Sequence, residues 1–336
     1  MTLSVVHDLD VGRWSEFVRR HPHGNVFHSP QMFQVWQATR CNEPFLLAVV
    51  DEDGRIRGVL QGVVQKEYSG ILGALTARAI VWGGPLVEDG DNGALDLLMG
   101  AYNGWAGERA IYSQFRNLWS MENAKHCLER LGFIYEEHLD IHVDLAKPEE
   151  QLWKEVHSKR RNEIRRARKE GTVVEELTQK EQVLEAYAIL RDVYRRARLP
   201  IHHSSLFETA FDVLGPEGMI RFFGAFFEGE LIGTIVVFCY NGVVYDWYAG
   251  SRRDFYHKYP NDLLPWHVFL WAKEMGYTLF DFGGAGKPGK PYGVRDYKKK
   301  FGGEFKNFGR FEKVHKPLLM RIGKLGFTLW KLLKRT

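Results

Sequence analysis

The sequence predicts a layered α/β protein made of two similar domains. Three observations carry that prediction. Strand-like and helix-like segments alternate along the chain, the pattern of an α/β layered architecture. The second half repeats the element order of the first, so that a hairpin signal at 220–240 answers one at 45–65. The length, 336 residues, suits two domains of ordinary size. Hydrophobic residues at 45% and charged residues at 26% are enough to build cores and exclude a disordered chain.

Taken in order, the segment 9–20 carries Leu9, Trp14, Phe17 and Val18 on a helical period and ends near His21-Pro22. Ser29-Pro30 starts a second helix through Trp36, with proline in its first turn. Residues 45–50 and 56–65 flank the turn Asp51-Glu52-Asp53-Gly54 as a hairpin. A strand at 80–87, a helix at 94–106, an extended run at 110–115, a helix at 122–131 closed by Gly132, and an extended stretch at 135–145 complete the first half. Lys147-Pro148 reads as the linker, giving a first domain at 1–146 and a second at 147–314. The second begins with one long helix, 149–170. Helices at 180–198 and 206–214 follow, then the hairpin 220–228/231–240, a strand at 242–249, a helix at 261–275, a strand at 277–282 and a final extended stretch at 304–313.

The strand 279–282 empties into G-G-A-G-K-P-G-K-P-Y-G and then the basic, aromatic run R-D-Y-K-K-K-F, an arrangement suited to anions. Gly284 to Lys290 spells the start of a nucleotide-binding P-loop. Pro291 stands where that motif needs Ser or Thr and offers no N–H, so the motif is set aside. Seven cations lie between 159 and 169 against one acid, Glu163; they form either a solvated face or a contact for phosphate or RNA backbone. With a net charge of +4, such local clusters matter more than the whole surface.

Cys41, Cys127 and Cys239 are too few and too scattered for a disulfide framework or a metal knuckle, which suits a reducing cytoplasm. His21, His23 and His28 lack acidic or cysteine company and helical spacing, so a polar loop is preferred to a metal site. Residues 1–10 have no basic region before an apolar core, so no signal peptide is expected. No run approaches the ~18 apolar residues of a membrane span. The tail, 315–336, places Leu318, Ile322, Leu325, Leu329 and Leu332 on one helical face, and no acid follows Glu312. It reads as a basic amphipathic helix on a membrane surface, with docking on the protein's own core as the alternative; Gly323 and Gly326 weaken both.

Several phrases, in order, carry a family resemblance: F-H-S-P-x-x-F at 27–33, W-G-G-P-L-V at 82–87, K-R-R-N-E-I-R-R-A-R-K-E-G at 159–171, W-A-K-E-M-G-Y-T-L-F-D-F-G-G at 271–284 and Y-K-K-K-F-G-G at 297–303. From Phe27 to about Phe311 the chain resembles the Fem family of peptidoglycan-bridge aminoacyltransferases and the wider group of tandem GNAT-like acyltransferases. The resemblance implies two GNAT-like domains, each a mixed, mostly antiparallel sheet flanked by helices, with an acceptor cleft in or near their junction. The family's aromatic-Lys-x-x-Phe phrase falls on Tyr297, Lys298 and Phe301, which gives Lys298 the central cationic role and the two rings a place at the substrate. Tyr245, Trp247 and Tyr248 would line the acceptor, and Arg195, Arg196 and Arg198 would clamp its anionic groups, if they are not merely a solvated helix end. Asp281 is the first choice of general base and Glu88 a weaker one.

Three departures bear on the acceptor. Trp36 stands where many peptidoglycan-type members carry a lysine, the chain has no room for long helical arms, and Arg198-Leu-Pro-Ile-His-His203 looks more like relatives associated with extracellular polysaccharide. The implied activity is amide formation on a cell-envelope precursor by a cytoplasmic enzyme lying peripherally on the membrane, with no bound cofactor. The donor is aminoacyl-tRNA or, alternatively, acyl-CoA. The turn 251–262 has no glycine to let a backbone approach a pyrophosphate, while Arg160, Arg161, Arg165, Lys287 and Lys290 suit an RNA backbone. A binding module without activity is disfavoured by the intact Y-K-K-K-F-G-G.

Overall fold

A computed structural model describes residues 2–67, 73 and 75–321. The chain forms two units, Met1–Glu137 with Phe308–Thr336, and His138–Asn307.

The first unit contains β1 (Ser4–Val6), α1 (Val11–Arg20), α2 (Pro30–Gln37), β2 (Asn42–Val50), β3 (Ile56–Gln65), β4 (Arg78–Trp82), β5 (Leu86–Val87), α3 (Asn92–Arg109), β6 (Tyr112–Arg116), α4 (Glu122–Arg130), β7 (Ile134–Glu136) and, from the far end of the chain, β15 (Arg310–Val314). The sheet order is β1-β2-β3-β4-β6-β15-β7, with β5 also on β3. The β4–β6 pair is parallel and its other pairs are antiparallel. The expected start of α2 holds: the Ser29 hydroxyl accepts from the Met32 N–H at 3.1 Å, with Pro30 in the first turn. Leu98, Tyr102, Phe115, Phe133 and Phe311 lie in this unit's core.

The second unit contains β8 (Leu139–Asp144), α5 (Glu149–Glu155), α6 (Ser158–Lys169), β9 (Val173–Glu176), α7 (Lys180–Ala197), α8 (Ser204–Leu214), β10 (Ile220–Phe227), β11 (Glu230–Tyr240), β12 (Val243–Ser251), α9 (Pro260–Glu274), β13 (Leu279–Gly284), α10 (Gly293–Lys299) and β14 (Glu304–Asn307). Its sheet runs β14-β8-β13-β12-β11-β10-β9. Only β12–β13 is parallel. Trp266 and Phe269 of α9 are buried with Phe280, Phe282 and Phe301.

The division differs from the boundaries at 146/147 and 314/315. The extended stretch 135–145 is two strands in two sheets: Tyr135 pairs with Phe311 in the first, whereas His142 pairs with Asp281 and Glu304 in the second. Lys147, read as linker, is tied into the second unit, because its ammonium meets Glu155 at 2.8 Å and its carbonyl accepts from Lys273 at 2.7 Å. The long helix 149–170 is broken after Glu155. The His157 N–H donates to the Lys300 carbonyl at 2.8 Å, and its ring nitrogen caps the N–H of Lys159 at 3.2 Å. Of the basic tail, residues 317–321 are helical and 322–336 lie outside the described residues. Among the described residues, no helix is long and apolar enough to cross a membrane, and all three cysteines are free.

Candidate active site

One of the register shifts in the second sheet lies along β12. Val236 pairs with Tyr248, but the next residue, Val237, pairs with Asp246, so Trp247 is the extra residue of a β-bulge. The parallel pairing of β12 with β13 covers only Val243–Tyr245 against Leu279–Asp281, and both strands run on beyond it. The two central strands therefore part at Tyr245 and Asp281, just where the bulge turns the backbone.

Lys298 of α10 is held at this opening. Its ammonium donates to the carbonyl of Phe282 and, at 3.3 Å, to that of Gly284. An ammonium has three N–H donors, so one remains. Gly283 has φ +66°, and a Cβ there would come 3.0 Å from the Tyr245 hydroxyl. The Gly-rich loop beyond is pinned by Arg295, whose guanidinium donates to the carbonyls of Lys287 (2.9 Å) and Lys290. The Lys287 and Lys290 side chains stand exposed on it.

Two carboxylates share the opening and have different environments. Asp281 is 4% exposed; it accepts from the Gly283 N–H at 2.6 Å and faces His142 at 3.4 Å. Burial works against the charged form of His142, but the hydrogen bond and charge of Asp281, with the charge of Asp140, outweigh it and raise the imidazole's pKa. Asp246, on the bulged strand, is half-buried. Burial pushes its carboxyl up to about 6; Lys298 pulls it down and Asp281 adds to the rise. Tyr194 of α7 is pushed up to about 12, chiefly by burial and then by the charge of Asp246.

The other residues singled out in the sequence divide. Tyr245 reaches the opening through Gly283, whereas Trp247 packs on Phe238 (4.5 Å) and Phe207 (5.1 Å), and Tyr248 on Phe207 (4.9 Å) and Tyr194 (5.4 Å). Arg195 and Arg196 are both paired with Asp192, and Arg198 is the left-handed C-cap of α7, so the three are an exposed helix end already part-neutralised. Phe301, expected at the substrate, is a core residue at 1% exposure because it fills the space between Phe269 and Phe282. The Tyr297 hydroxyl donates to the Asn261 carbonyl in the first turn of α9. Trp36 and Glu88 belong to the first unit. Trp36 is buried against Trp82, with centroids 5.7 Å apart, and Glu88 is paired with Arg57 at 2.6 Å on the wall of a cavity of about 610 Å³ beside α1.

Arg160 also departs from expectation. It points inward, pairs with the buried Asp262 and with Glu163 (3.1 Å), and lies 5.0 Å over the Tyr297 ring. Arg161 donates to the Trp153 carbonyl at 3.3 Å, and Arg165 lies exposed 5.2 Å over the Trp153 ring. With Arg165, the exposed cations of α6 are Lys159, Arg166, Arg168 and Lys169.

Asp246, Tyr194, His142 and Arg295 were not singled out from the sequence. For Asp246 there was a signal, a lone acid inside the apolar and aromatic run V-V-Y-D-W-Y; for Tyr194 and His142 the partners, Asp246 and Asp281, are far along the chain, whereas Arg295 turns back on the loop just before it.

Residues 158–299 match the family model described as an acetyltransferase (GNAT) domain. This stretch of the second unit is thus a GNAT-type domain, and it supports an acyltransferase. The fold of the whole chain is Fem-like, a tandem of two GNAT-like domains. The chain is similar to a crystal structure of FemX, with a TM-score of 0.75 at 17% identity over 95% of this chain and 99% of that one. It is also similar to a tandem GNAT protein from the clavulanic acid biosynthesis pathway, with a TM-score of 0.61 at 13% identity over 94% and 99%. A third similar structure is the C-terminal domain of a putative lysylphosphatidylglycerol synthetase from Agrobacterium fabrum, with a TM-score of 0.57 at 14% identity over 90% of each chain. No curated protein sequence matches the chain.

Proposed function

We propose that the protein transfers an aminoacyl group from aminoacyl-tRNA to an amine of a cell-envelope precursor, peptidoglycan-type or lipid-linked. The observation that carries the donor is the state of the α9 N-terminus, where a GNAT enzyme using acetyl-CoA would hold the pyrophosphate on free backbone N–H groups. Here Pro260 has no N–H, and those of Asp262 and Leu263 both donate to the Tyr259 carbonyl. A buried acid, Asp262, occupies the first turn, closed over by Arg160. Of the nearby cations, Arg252 is paired with Glu230 and Glu185, and Lys258 with Glu170. That leaves little to receive a pyrophosphate. Arg165, Arg168 and Lys169 of α6, with Lys287 and Lys290, are exposed and suit a longer anion such as an RNA backbone, whose binding would weaken steeply with salt.

At the opening between β12 and β13, the remaining N–H of Lys298 would stabilise the oxygen that gains charge as the ester carbonyl is attacked. Holding amine and ester together supplies the rest by proximity. The likeness in fold to FemX and to a putative lysylphosphatidylglycerol synthetase supports an envelope acceptor. The tail, 315–336, would rest on the membrane face where a lipid-linked acceptor is found. The second reading is acyl transfer from acyl-CoA to a polysaccharide or lipid-linked sugar, favoured by the exposed Arg253 beside α9. Mass spectrometry of envelope precursors from cells with and without the protein tests the reaction. An added amino acid that disappears with the protein is expected; an added acyl chain or acetyl group would establish the second reading.

A further inference from the structure

We infer that Asp246 is the general base of this transfer, receiving the proton of the acceptor nitrogen at the opening between β12 and β13. The inference rests on the acyl-transfer reading above, whichever donor is used.

Geometry selects it. The bulge at Trp247 shifts the side-chain alternation of β12 by one residue and sets Asp246 where the strand leaves β13. The charged and titratable groups that act on it are Lys298 of α10, Asp281 of β13, Tyr194 of α7 and Tyr297 of α10, with His142 of β8 facing Asp281. The partner of Asp246 across the pair with β11 is the apolar Val237. Asp246 is the half-open carboxyl of this group. Asp281 has both oxygens engaged, by the Gly283 N–H and by His142, and is closed to solvent. Tyr194 is pushed up to about 12, and burial raises Tyr297 well above the ordinary phenol. Asp246 is half-open and sits near 6, where a carboxylate is mostly ionised at pH 7 yet basic enough to accept a proton. Lys298 faces it, so the cation that would stabilise the carbonyl oxygen also keeps the base ionised.

The step balances without any added reactant. The neutral acceptor nitrogen attacks the ester carbonyl carbon, the N–C bond forms, and the carbonyl π pair moves onto oxygen beside Lys298. Asp246 takes one proton from the nitrogen. The oxygen pair then re-forms the carbonyl, the C–O bond to the donor breaks, and the leaving oxygen takes the proton from Asp246, which returns to carboxylate. With a thioester donor the sulfur leaves in the same way.

Two measurements test the assignment. The Asp246 carboxyl, followed by carbon NMR in the full-length protein, should titrate near 6 and higher in Lys298→Met; titration at the ordinary aspartate value would overturn the proposal. In the transfer assay, Asp246→Asn should lower kcat by about 10²–10⁴-fold at pH 7.5 and abolish the acid limb of the pH–rate profile, with KM for donor and acceptor unchanged. Asp246→Glu should recover part of the rate and the limb. Wild-type kcat and an intact limb in Asp246→Asn would refute the base alone. Absence of transfer by the wild-type protein with any charged tRNA or acyl thioester would refute the acyl-transfer reading itself.

Discussion

Replacing Arg160 with methionine should unfold the second unit far more readily than its place in a run of surface cations suggests. The guanidinium is the counterion of Asp262, whose side chain is 7% exposed, and of Glu163, at 16%. It also covers the rings of Tyr297 and Phe301, at 5.0 and 6.0 Å. Removing one partner of a buried pair leaves the other charge uncompensated, a loss of about 3–5 kcal/mol. In a unit of this size that lowers Tm by roughly 10 °C. The loss should depend on pH. Burial already holds the Asp262 carboxyl at about 6, above its unfolded value, against the pull of Arg160. Without Arg160 it rises further. A group raised on folding contributes stability below its unfolded pKa and loses it as pH rises through the folded one, so the deficit of the variant should be smaller at pH 5 than at pH 8. Urea unfolding at the two values measures this, and Arg160→Met/Asp262→Asn should recover most of the loss at pH 8. An Arg160→Met protein as stable as wild type at both pH values, but deficient in tRNA binding, would refute the reasoning and restore Arg160 to the donor surface.

Lys298→Met should reduce transfer by about 10²–10³-fold. It should also lower the unfolding free energy by about 1.5–3 kcal/mol, because the Phe282 and Gly284 carbonyls lose a charged donor; activity and urea unfolding are read on one preparation. Gly303→Ala should destabilise by about 1–3 kcal/mol through its backbone alone, and more because its Cβ would meet the His142 carbonyl at 2.6 Å; Gly171→Ala, equally left-handed but with open space around it, is the control. His142 has a pKa raised on folding, so its contribution is greatest at acid pH and lost as pH rises through the folded value. The stability gap between wild type and His142→Gln should therefore shrink from pH 5.5 to 8.5. Removing 322–336, which leaves the Lys316 contact with the Glu108 carbonyl intact, should abolish binding to anionic vesicles in sedimentation; equal binding would refute the membrane role of the tail.

What the sequence disclosed was what local pattern controls. The two hairpins, Ser29 with Pro30 at the start of α2, and the helix ending in α9 all follow from apolar period and turn chemistry, and they were legible. Strand partnership was not. Nothing within 135–145 tells β7 from β8, because their sheets are set by Phe311 and Asp281, more than a hundred residues away. The break between α5 and α6 was hidden likewise, since its backbone partner is the Lys300 carbonyl. In the site, the phrase Y-K-K-K-F-G-G located Lys298 but mixed roles: Phe301 is core, and Gly303 is required because it lies against the β8 backbone. Charge runs misled in one place. Arg160 and Arg165 look alike in sequence, and only the fold decides that one is buried in an ion pair and the other exposed. For Asp246 the lone acid in V-V-Y-D-W-Y was a trace, but its place at the opening follows from the bulge, a register shift of one residue between strands whose sequences look regular.

The central proposal is that this protein takes its acyl group from tRNA. Purified full-length protein, titrated with charged tRNA and separately with acetyl-CoA over a range of salt concentrations, tests it most directly. The account predicts tRNA binding whose affinity falls steeply with salt, product on an envelope-type amine, and no saturable binding of the thioester. Micromolar binding of acetyl-CoA, with no tRNA binding at low salt, would contradict it.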